Sequence, residues 1–146
     1  MKYLFEEVDG GMLPVRVTAL SVGYDCYSNV DKIIAPGDTA LIPLGFRIKG
    51  FVSDSIMDKD APLPYLELHL RSSLRVAGLS SGGVGIIDMD YRNEIKLVIT
   101  NHDVEEYRLN TGDRIAQLVA ASSPIHQMSN LITIREARNG GFGSTN

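Results

Sequence analysis

The chain has 146 residues, 44% of them hydrophobic and 22% charged, which is typical of one globular domain that buries roughly 68–70% of its unfolded surface. The net charge of −4 argues against a nucleic-acid polymer as partner, because no basic stripe can displace counterions from a duplex. The one cysteine, Cys26, excludes an intramolecular disulfide and is expected to be a packed thiol rather than a nucleophile. The chain has no apolar run of membrane-spanning length and no signal-peptide pattern, so we expect a cytoplasmic protein without a membrane partner.

The alternation of apolar and polar residues predicts β-strands over almost the whole chain. In chain order, strands are predicted at 16–20, 39–48, 65–70, 94–100, 114–120 and 131–134. Turn signals rich in Gly, Pro, Asn and Asp separate them. An exposed acidic loop is predicted at 50–64, and a short helix at 73–79. Short strands at this spacing are typical of an antiparallel sandwich, jelly roll or barrel.

Two segments at strand ends carry polar side chains suited to binding an anion or a cation. Asp25 follows a predicted strand, and Gly23 beside it would let another group approach the backbone. The alternative for Asp25 is a turn or capping residue. Arg71, Ser72 and Ser73 put a guanidinium and two hydroxyls at the end of a strand, where an anion can bind. The alternative there is a helix N-cap formed by one of the two serines.

Two further segments stand out by their charges. Segment 85–92 is apolar at first and then carries Asp88 and Asp90, which an extended chain would point to one face. Two like charges there suit a metal ion or a tuned general base, and an acidic hairpin turn is the alternative. The other segment, at 112–119, is by itself an ordinary turn and strand, with Arg114 and Gln117 predicted on opposite faces.

The last seven residues, 140–146, form a glycine-rich tail with one aromatic ring and two hydroxyls. Its glycines would allow backbone N–H groups to wrap an anion, as in a phosphate-binding nest. Phe142 offers a flat face for a planar ring. A frayed terminus is the alternative interpretation.

Together these segments resemble the five ordered motifs of the trimeric dUTP diphosphatase (dUTPase) family, from residue 21 to residue 145. The most specific are Gly-Ile-Ile-Asp-Met-Asp-Tyr-Arg, Gly-Asp-Arg-Ile-Ala-Gln-Leu-Val and the terminal Gly-Gly-Phe-Gly-Ser-Thr. The resemblance implies an all-β distorted jelly roll that forms a homotrimer with shared active sites. It also implies a domain at 1–137 and a flexible arm at 138–146 that closes the active site.

The activity that the resemblance implies is hydrolysis of dUTP to dUMP and pyrophosphate, with Mg²⁺ held mainly by the phosphates. Asp88 would be the base that activates the attacking water, and Tyr91 would pack on the deoxyribose and exclude a 2′-hydroxyl. Asp25 would reach the metal through a water. The other implied substrate-binding residues are the phosphate-binding Arg71, Ser72, Ser73 and Gln117, the uracil-reading hairpin glycines Gly82, Gly83 and Gly85, and the arm residues Arg138, Phe142, Gly143, Ser144 and Thr145.

The chain departs from the family pattern at three places. Leu70 stands where the second motif usually begins with proline, and Gly82 replaces a common asparagine, so base recognition would rest more on the backbone. Ala137 stands at the usual arginine position of the fifth motif. Arg138 is therefore taken as the arm's phosphate ligand, with Arg135 as the alternative.

Two other functions are consistent with parts of the sequence. A dCTP deaminase, or a bifunctional deaminase–diphosphatase, shares the fold and an Arg-Ser-Ser motif, but Asp-Met-Asp-Tyr and the aromatic tail argue against it. A regulatory module with nucleotide as switch ligand is the alternative from another class. Its protein partner would bind the acidic loop at 50–64.

Overall fold

The computed structural model describes residues 2–52 and 61–124, and almost all of their regular structure is strand. In chain order the elements are β1 (Lys2–Glu7), β2 (Tyr24–Tyr27), β3 (Lys32–Ile34), β4 (Thr39–Pro43), β5 (Phe46–Val52), β6 (Leu63–Leu70), α1 (Ser72–Val76), β7 (Leu79–Ser80), β8 (Gly85–Ile87), β9 (Lys96–Asn101), β10 (Tyr107–Leu109) and β11 (Arg114–Ser123). The predicted strand at 131–134, the arm at 138–146 and most of the predicted 50–64 loop lie outside the described residues.

The strands form antiparallel sheets whose neighbours are mostly distant in sequence. One sheet has the order β2-β11-β6-β8, a second has the order β4-β9-β7, and β1-β5 and β10-β3 form two-stranded pairs. All of these pairings are antiparallel. The expected all-β jelly-roll class is confirmed.

One hydrophobic core joins the two larger sheets, and the period-two patterns decide which side chains enter it. Alternate residues of β6 are buried, with Leu66, Leu68 and Leu70 at most 3% exposed. From the second sheet, Leu97 and Ile99 of β9 join the same cluster. Burial of each such side chain contributes about 1.5–3 kcal/mol. The opposite face of β6, at 65, 67 and 69, remains only half-buried.

The strand predicted at 16–20 is wrong. Residues 16 and 17 are irregular, and a turn follows in which the Ser21 N–H donates to the Thr18 carbonyl (3.1 Å). The Arg16 guanidinium donates to the carbonyls of Ser21 (2.8 Å) and Ala19 (2.6 Å). These local bonds satisfy the backbone without a strand partner, and only Val15 forms a β-bridge, to Asp25.

The single strand predicted at 39–48 is two strands, β4 and β5, separated by a bend at Gly45. Gly45 has φ of +74°, and a Cβ there would lie 2.5 Å from the Gly11 Cα. Only glycine fits this position, because other residues would meet both the left-handed backbone strain and the steric overlap. The period-two burial pattern continues across the bend and therefore conceals it.

In the part of the chain that the structure describes, no helix has the length and apolar character that a membrane span requires.

Candidate active site

The β2-β11-β6 part of the large sheet brings together predicted site residues from three separate segments. Asp25 of β2 is paired with Gln117 of β11 in the strand register. Arg71 directly follows β6, and its backbone N–H donates to the carbonyl of Ile115 in β11 (3.0 Å). A Cβ built on Gly23 would lie only 3.2 Å from the Gln117 Cβ, so the group that approaches this glycine is Gln117.

The carboxylate of Asp25 is held by two side chains of β11. Arg114 donates from Nη1 to Asp25 Oδ2 (3.0 Å), and Gln117 donates from Nε2 to Asp25 Oδ1 (3.2 Å). Asp25 is only 4% exposed, so its charge lies largely out of water and depends on these partners. Sequence reasoning singled out Asp25 and Gln117 for this site but did not include Arg114.

Arg114 and Gln117 lie on the same face of β11, so the predicted placement on opposite faces is wrong. The register against β2 shifts between Arg114 and Ala116. Ile115 and Ala116 are both fully buried, which breaks the in–out alternation and turns Arg114 and Gln117 to the outer face together. The sequence carries no clear signal of this irregularity, because β11 also has four adjacent apolar residues at 118–121 and does not alternate there either.

The two serines after Arg71 do not cap the short helix, so the N-cap alternative is wrong. The N-cap residue is Arg71 itself, with extended backbone and no side-chain cap bond. Leu74 anchors the helix in the core, and Ser72 and Ser73 are exposed. Their predicted contact with phosphate stays a prediction, and both lie beside Arg71 at the Asp25–Gln117 end of the sheet.

Asp88 and Asp90 lie in a turn after β8 rather than on an extended chain. The Tyr91 N–H donates to the Asp88 carbonyl (3.1 Å), which closes a four-residue turn. Met89, between the two acids, is buried in the core at 8% exposure. The segment therefore adopts a turn, as in the alternative interpretation, and the i, i+2 rule for an extended chain does not apply to these two carboxylates. Asp88 is half-buried at the start of this turn.

Tyr91 is fixed at both ends of its side chain. Its ring packs against the hydrophobic core, and its hydroxyl donates to the Glu94 carbonyl (3.4 Å). Burial raises the pKa of the Tyr91 hydroxyl, and the nearby Glu94 charge raises it further, so the phenol is protonated at neutral pH. A ring held in this way can act as a rigid wall for a bound ligand.

The predicted uracil-reading glycines lie in and around the connection between β7 and β8. Gly82 has φ of +70° and Gly83 φ of +142°, and the Ser81 hydroxyl donates to the Gly83 carbonyl (2.7 Å). A Cβ at either glycine would meet open space, so the backbone conformation is what requires glycine at both positions. Gly85 is paired with Leu68 in the β6–β8 register.

Cys26 is a packed thiol, as expected. It is fully buried, and burial together with the adjacent Asp25 charge raises the pKa of the thiol to about 12. The thiol is therefore protonated at neutral pH and cannot act as a nucleophile there.

The charged groups of this site suit a metal ion whose coordination comes mostly from the phosphates of a bound substrate and from water. Within residues 2–52 and 61–124, no group of three or more His, Cys, Asp or Glu side chains is arranged to hold a metal ion. Asp25 supplies one carboxylate, and Mg²⁺ is usually bound through one or two carboxylates plus waters and substrate phosphates. The residues present fit Mg²⁺ on these terms.

Comparison with known proteins decides the family. The dUTPase family model matches residues 64–146, more than half of the chain. The deoxyuridine 5'-triphosphate nucleotidohydrolase of Debaryomyces hansenii is 34% identical, over 97% of this chain and 85% of that protein. The chain belongs to the dUTPase family.

Solved structures of dUTPases have a similar fold. The crystal structure of the dUTPase from Streptococcus mutans matches this structure with a TM-score of 0.69 at 27% identity, over 84% of this chain and 98% of that one. The dUTPase of Staphylococcus bacteriophage 80alpha shares the fold, with a TM-score of 0.74 at 17% identity, over 92% of this chain and 98% of that one.

The predicted arm residues lie outside the described part of this dUTPase-family chain. They are Arg138, Phe142, Gly143, Ser144 and Thr145, together with the alternative ligand Arg135. Their roles stay predictions, as does the division into a domain at 1–137 and an arm at 138–146.

Proposed function

We propose that this chain is a dUTP diphosphatase, which hydrolyses dUTP to dUMP and pyrophosphate by attack of water on the α-phosphorus. The observation that carries the proposal is the convergence of Asp25, Arg71 and Gln117 at one end of the large sheet. These residues come from three separate family motifs, and the family's curated members are named for this activity.

The reaction needs a positioned water, a base and donors for the phosphate oxygens more than it needs covalent chemistry. Asp88 is the proposed base, because its carboxylate can take a proton from the attacking water. Arg71 and Gln117 are proposed to donate to phosphate oxygens, with the hydroxyls of Ser72 and Ser73 beside them. The rigid ring of Tyr91 is proposed to pack against the deoxyribose.

Mg²⁺ is the proposed cofactor, bound chiefly by the three phosphates. When bound, it would neutralise phosphate charge and orient the triphosphate. Asp25 is the protein group proposed to meet it, through a water that donates to the carboxylate. The low exposure of Asp25 and its two hydrogen-bonding partners support a fixed acceptor of this kind.

The geometry of β6 supports an active site shared between copies of the chain in a homotrimer. Ile87 is paired with Leu66, so Asp88 follows at the level of residue 65, six residues along β6 from Arg71. At 3.3 Å per residue, the two are about 20 Å apart along the strand. That distance is longer than a triphosphate, whereas the base and the phosphate donors must act on the same group. A second copy supplying one of the two halves resolves the conflict.

Three further expectations belong to this proposal. The arm residues, with Arg138 or Arg135 as cation and Phe142 as stacking partner, are proposed to close over the nucleotide. The backbone around Gly82, Gly83 and Gly85 is proposed to read the uracil edge. A regulatory protein partner and a cytoplasmic location stay predictions, the former motivated by the acidic loop at 50–64.

The direct test is pyrophosphate release from dUTP, dCTP, dTTP and UTP in the presence of Mg²⁺, with ammonia release measured from dCTP in parallel. We expect rapid hydrolysis of dUTP but not of dCTP, because buried hydrogen-bonding groups reject a mismatched base edge by up to about 10⁴–10⁵-fold. UTP, which has the same base, should be disfavoured by the Tyr91 ring, which is proposed to exclude the 2′-hydroxyl. Ammonia release would favour the deaminase alternative. Inactivity toward dUTP would contradict the proposal.

Replacing Tyr91 with alanine is expected to relax discrimination against the ribonucleotide. Removal of the ring opens space for a 2′-hydroxyl, so the ratio of UTP to dUTP hydrolysis should rise by about 10- to 100-fold. The measurement is kcat/KM for both nucleotides on the purified variant.

Two controls separate this effect from general damage at Tyr91. Tyr91→Phe keeps the ring and loses only the bond to the Glu94 carbonyl, so it should retain discrimination. Tyr107→Ala removes another half-buried tyrosine that packs on the core, and it should lower stability without changing the ratio. An unchanged ratio in a folded Tyr91→Ala variant would show that the sugar is read elsewhere.

A further inference from the structure

Arg114 binds the proposed metal-facing carboxylate of Asp25 but has no role of its own in the proposed reaction. Its guanidinium lies against the buried Asp25 carboxylate, yet its own side chain is 43% exposed. We propose that Arg114 is a positioning residue, which holds the Asp25 carboxylate in the orientation needed to accept a hydrogen bond from metal-bound water. This inference rests on the proposed function and adds a residue to it.

The two donors on Asp25 act on different oxygens. Arg114 binds Oδ2 at 3.0 Å and Gln117 binds Oδ1 at 3.2 Å. Bonds to both oxygens fix the rotation of the planar carboxylate as well as its position. A carboxylate has about four acceptor sites, so the two bonds leave acceptor capacity for a water.

Arg114 also balances the charge of Asp25. A carboxylate that is 4% exposed is costly as an anion unless a cation compensates it. Within residues 2–52 and 61–124, Arg114 is the cation that lies within 4.0 Å of Asp25. Without it, the side chain that holds the carboxylate among the described residues would be the neutral amide of Gln117. Turning toward water would then lower the free energy of the anion.

The irregularity in β11 is what gives Arg114 this position. In a regular strand, residues three apart point to opposite faces, and Arg114 would face away from Gln117. The register shift between Arg114 and Ala116 instead turns both side chains toward Asp25. Irregularities of this kind commonly re-aim a side chain beside an active site.

The test combines Arg114→Gln, Arg114→Lys, Asp25→Asn and the double variant Asp25→Asn/Arg114→Gln. Arg108→Gln is the matched control, because Arg108 is 65% exposed and pairs only distantly with Glu106 (3.9 Å). For each protein we would measure Mn²⁺ affinity, by electron paramagnetic resonance, in the complex with a non-hydrolysable dUTP analogue. The Mg²⁺ concentration for half-maximal dUTP hydrolysis and the midpoint of thermal unfolding would be measured alongside.

We expect Arg114→Gln to weaken Mn²⁺ binding in the analogue complex by about tenfold or more, as loss of a hydrogen bond to a charged group would do. The double variant should bind Mn²⁺ no more weakly than Asp25→Asn, because Arg114 acts through Asp25. Arg114→Lys should recover part of the affinity, and Arg108→Gln should match the unaltered protein.

Three results would overturn the proposal. The first is an unchanged Mn²⁺ affinity in Arg114→Gln although Asp25→Asn binds Mn²⁺ more weakly. The second is that Arg114→Gln lowers the Mn²⁺ affinity as much in the Asp25→Asn protein as in the unaltered one. The third is that Arg114→Gln lowers the unfolding midpoint without changing the Mn²⁺ affinity. If Arg114→Gln does not fold, comparing the double variant and Arg114→Lys with Asp25→Asn gives the same decision. Failure of the unaltered protein to hydrolyse dUTP would instead refute the proposed function.

Discussion

Replacing Asp88 with asparagine is expected to abolish turnover while leaving nucleotide binding largely intact. Asparagine has nearly the same size but cannot take a proton from the attacking water, and a general base usually contributes about 10²–10⁴-fold. The turn that begins at Asp88 is closed by its backbone carbonyl, so the substitution leaves that bond in place. The measurements are kcat for dUTP and the affinity for a non-hydrolysable dUTP analogue.

The matched control is Asp38→Asn, the same chemical change at an exposed acid that precedes β4 in the other large sheet. It should retain full activity. Asp88→Asn activity within a factor of two of the unaltered protein would refute Asp88 as the base. A parallel loss of analogue binding would instead indicate that Asp88 binds the nucleotide.

Length alone did not decide which strands the sequence predicted. The strands predicted at 65–70 and 114–120 correspond to β6 and β11. The six-residue β1 (Lys2–Glu7) was not predicted, because its three adjacent apolar residues show no period of two. Strands of two to four residues, such as β2, β7 and β8, are too short for a period to be recognised. Their positions depend on pairing with residues far along the chain.

The motifs identified the candidate site residues, whereas their mutual contacts depended on register. The closeness of Asp25 to Gln117 requires β2 and β11 to pair, and the role of Arg114 requires the irregularity between them. Neither follows from the local pattern. Likewise, the turn at Asp88 is closed by a backbone bond to Tyr91, which the spacing of two carboxylates does not reveal.

Mixing two inactive variants is expected to restore activity if the site is shared between subunits. The variants are full-length Asp88→Asn, which lacks the base, and Arg71→Ala, which lacks a phosphate donor. In one chain these positions are separated by six residues of β6, about 20 Å, so they would serve different active sites. In randomly mixed trimers, about a quarter of the sites would receive Asp88 from one subunit and Arg71 from another.

The experiment is co-refolding of the two variants at equal concentration, followed by an assay of pyrophosphate release from dUTP. Arg71→Ala mixed with Gln117→Ala is the decisive control. Arg71 bonds to the backbone of β11, the strand that carries Gln117, so both belong to the same half of the site within one chain. Every site in that mixture would lack one of the two groups, and the mixture should stay inactive.

Subunit exchange would be verified by native mass spectrometry on variants that carry tags of different mass. If activity returns in the mixture of Asp88→Asn and Arg71→Ala but not in the control mixture, the base and the phosphate donor must come from different copies of the chain. If that mixture exchanges subunits and stays inactive, the shared site is wrong even where the unaltered protein hydrolyses dUTP. Recovery in the control mixture would mean that Arg71 and Gln117 serve different sites, contrary to their closeness on β6 and β11.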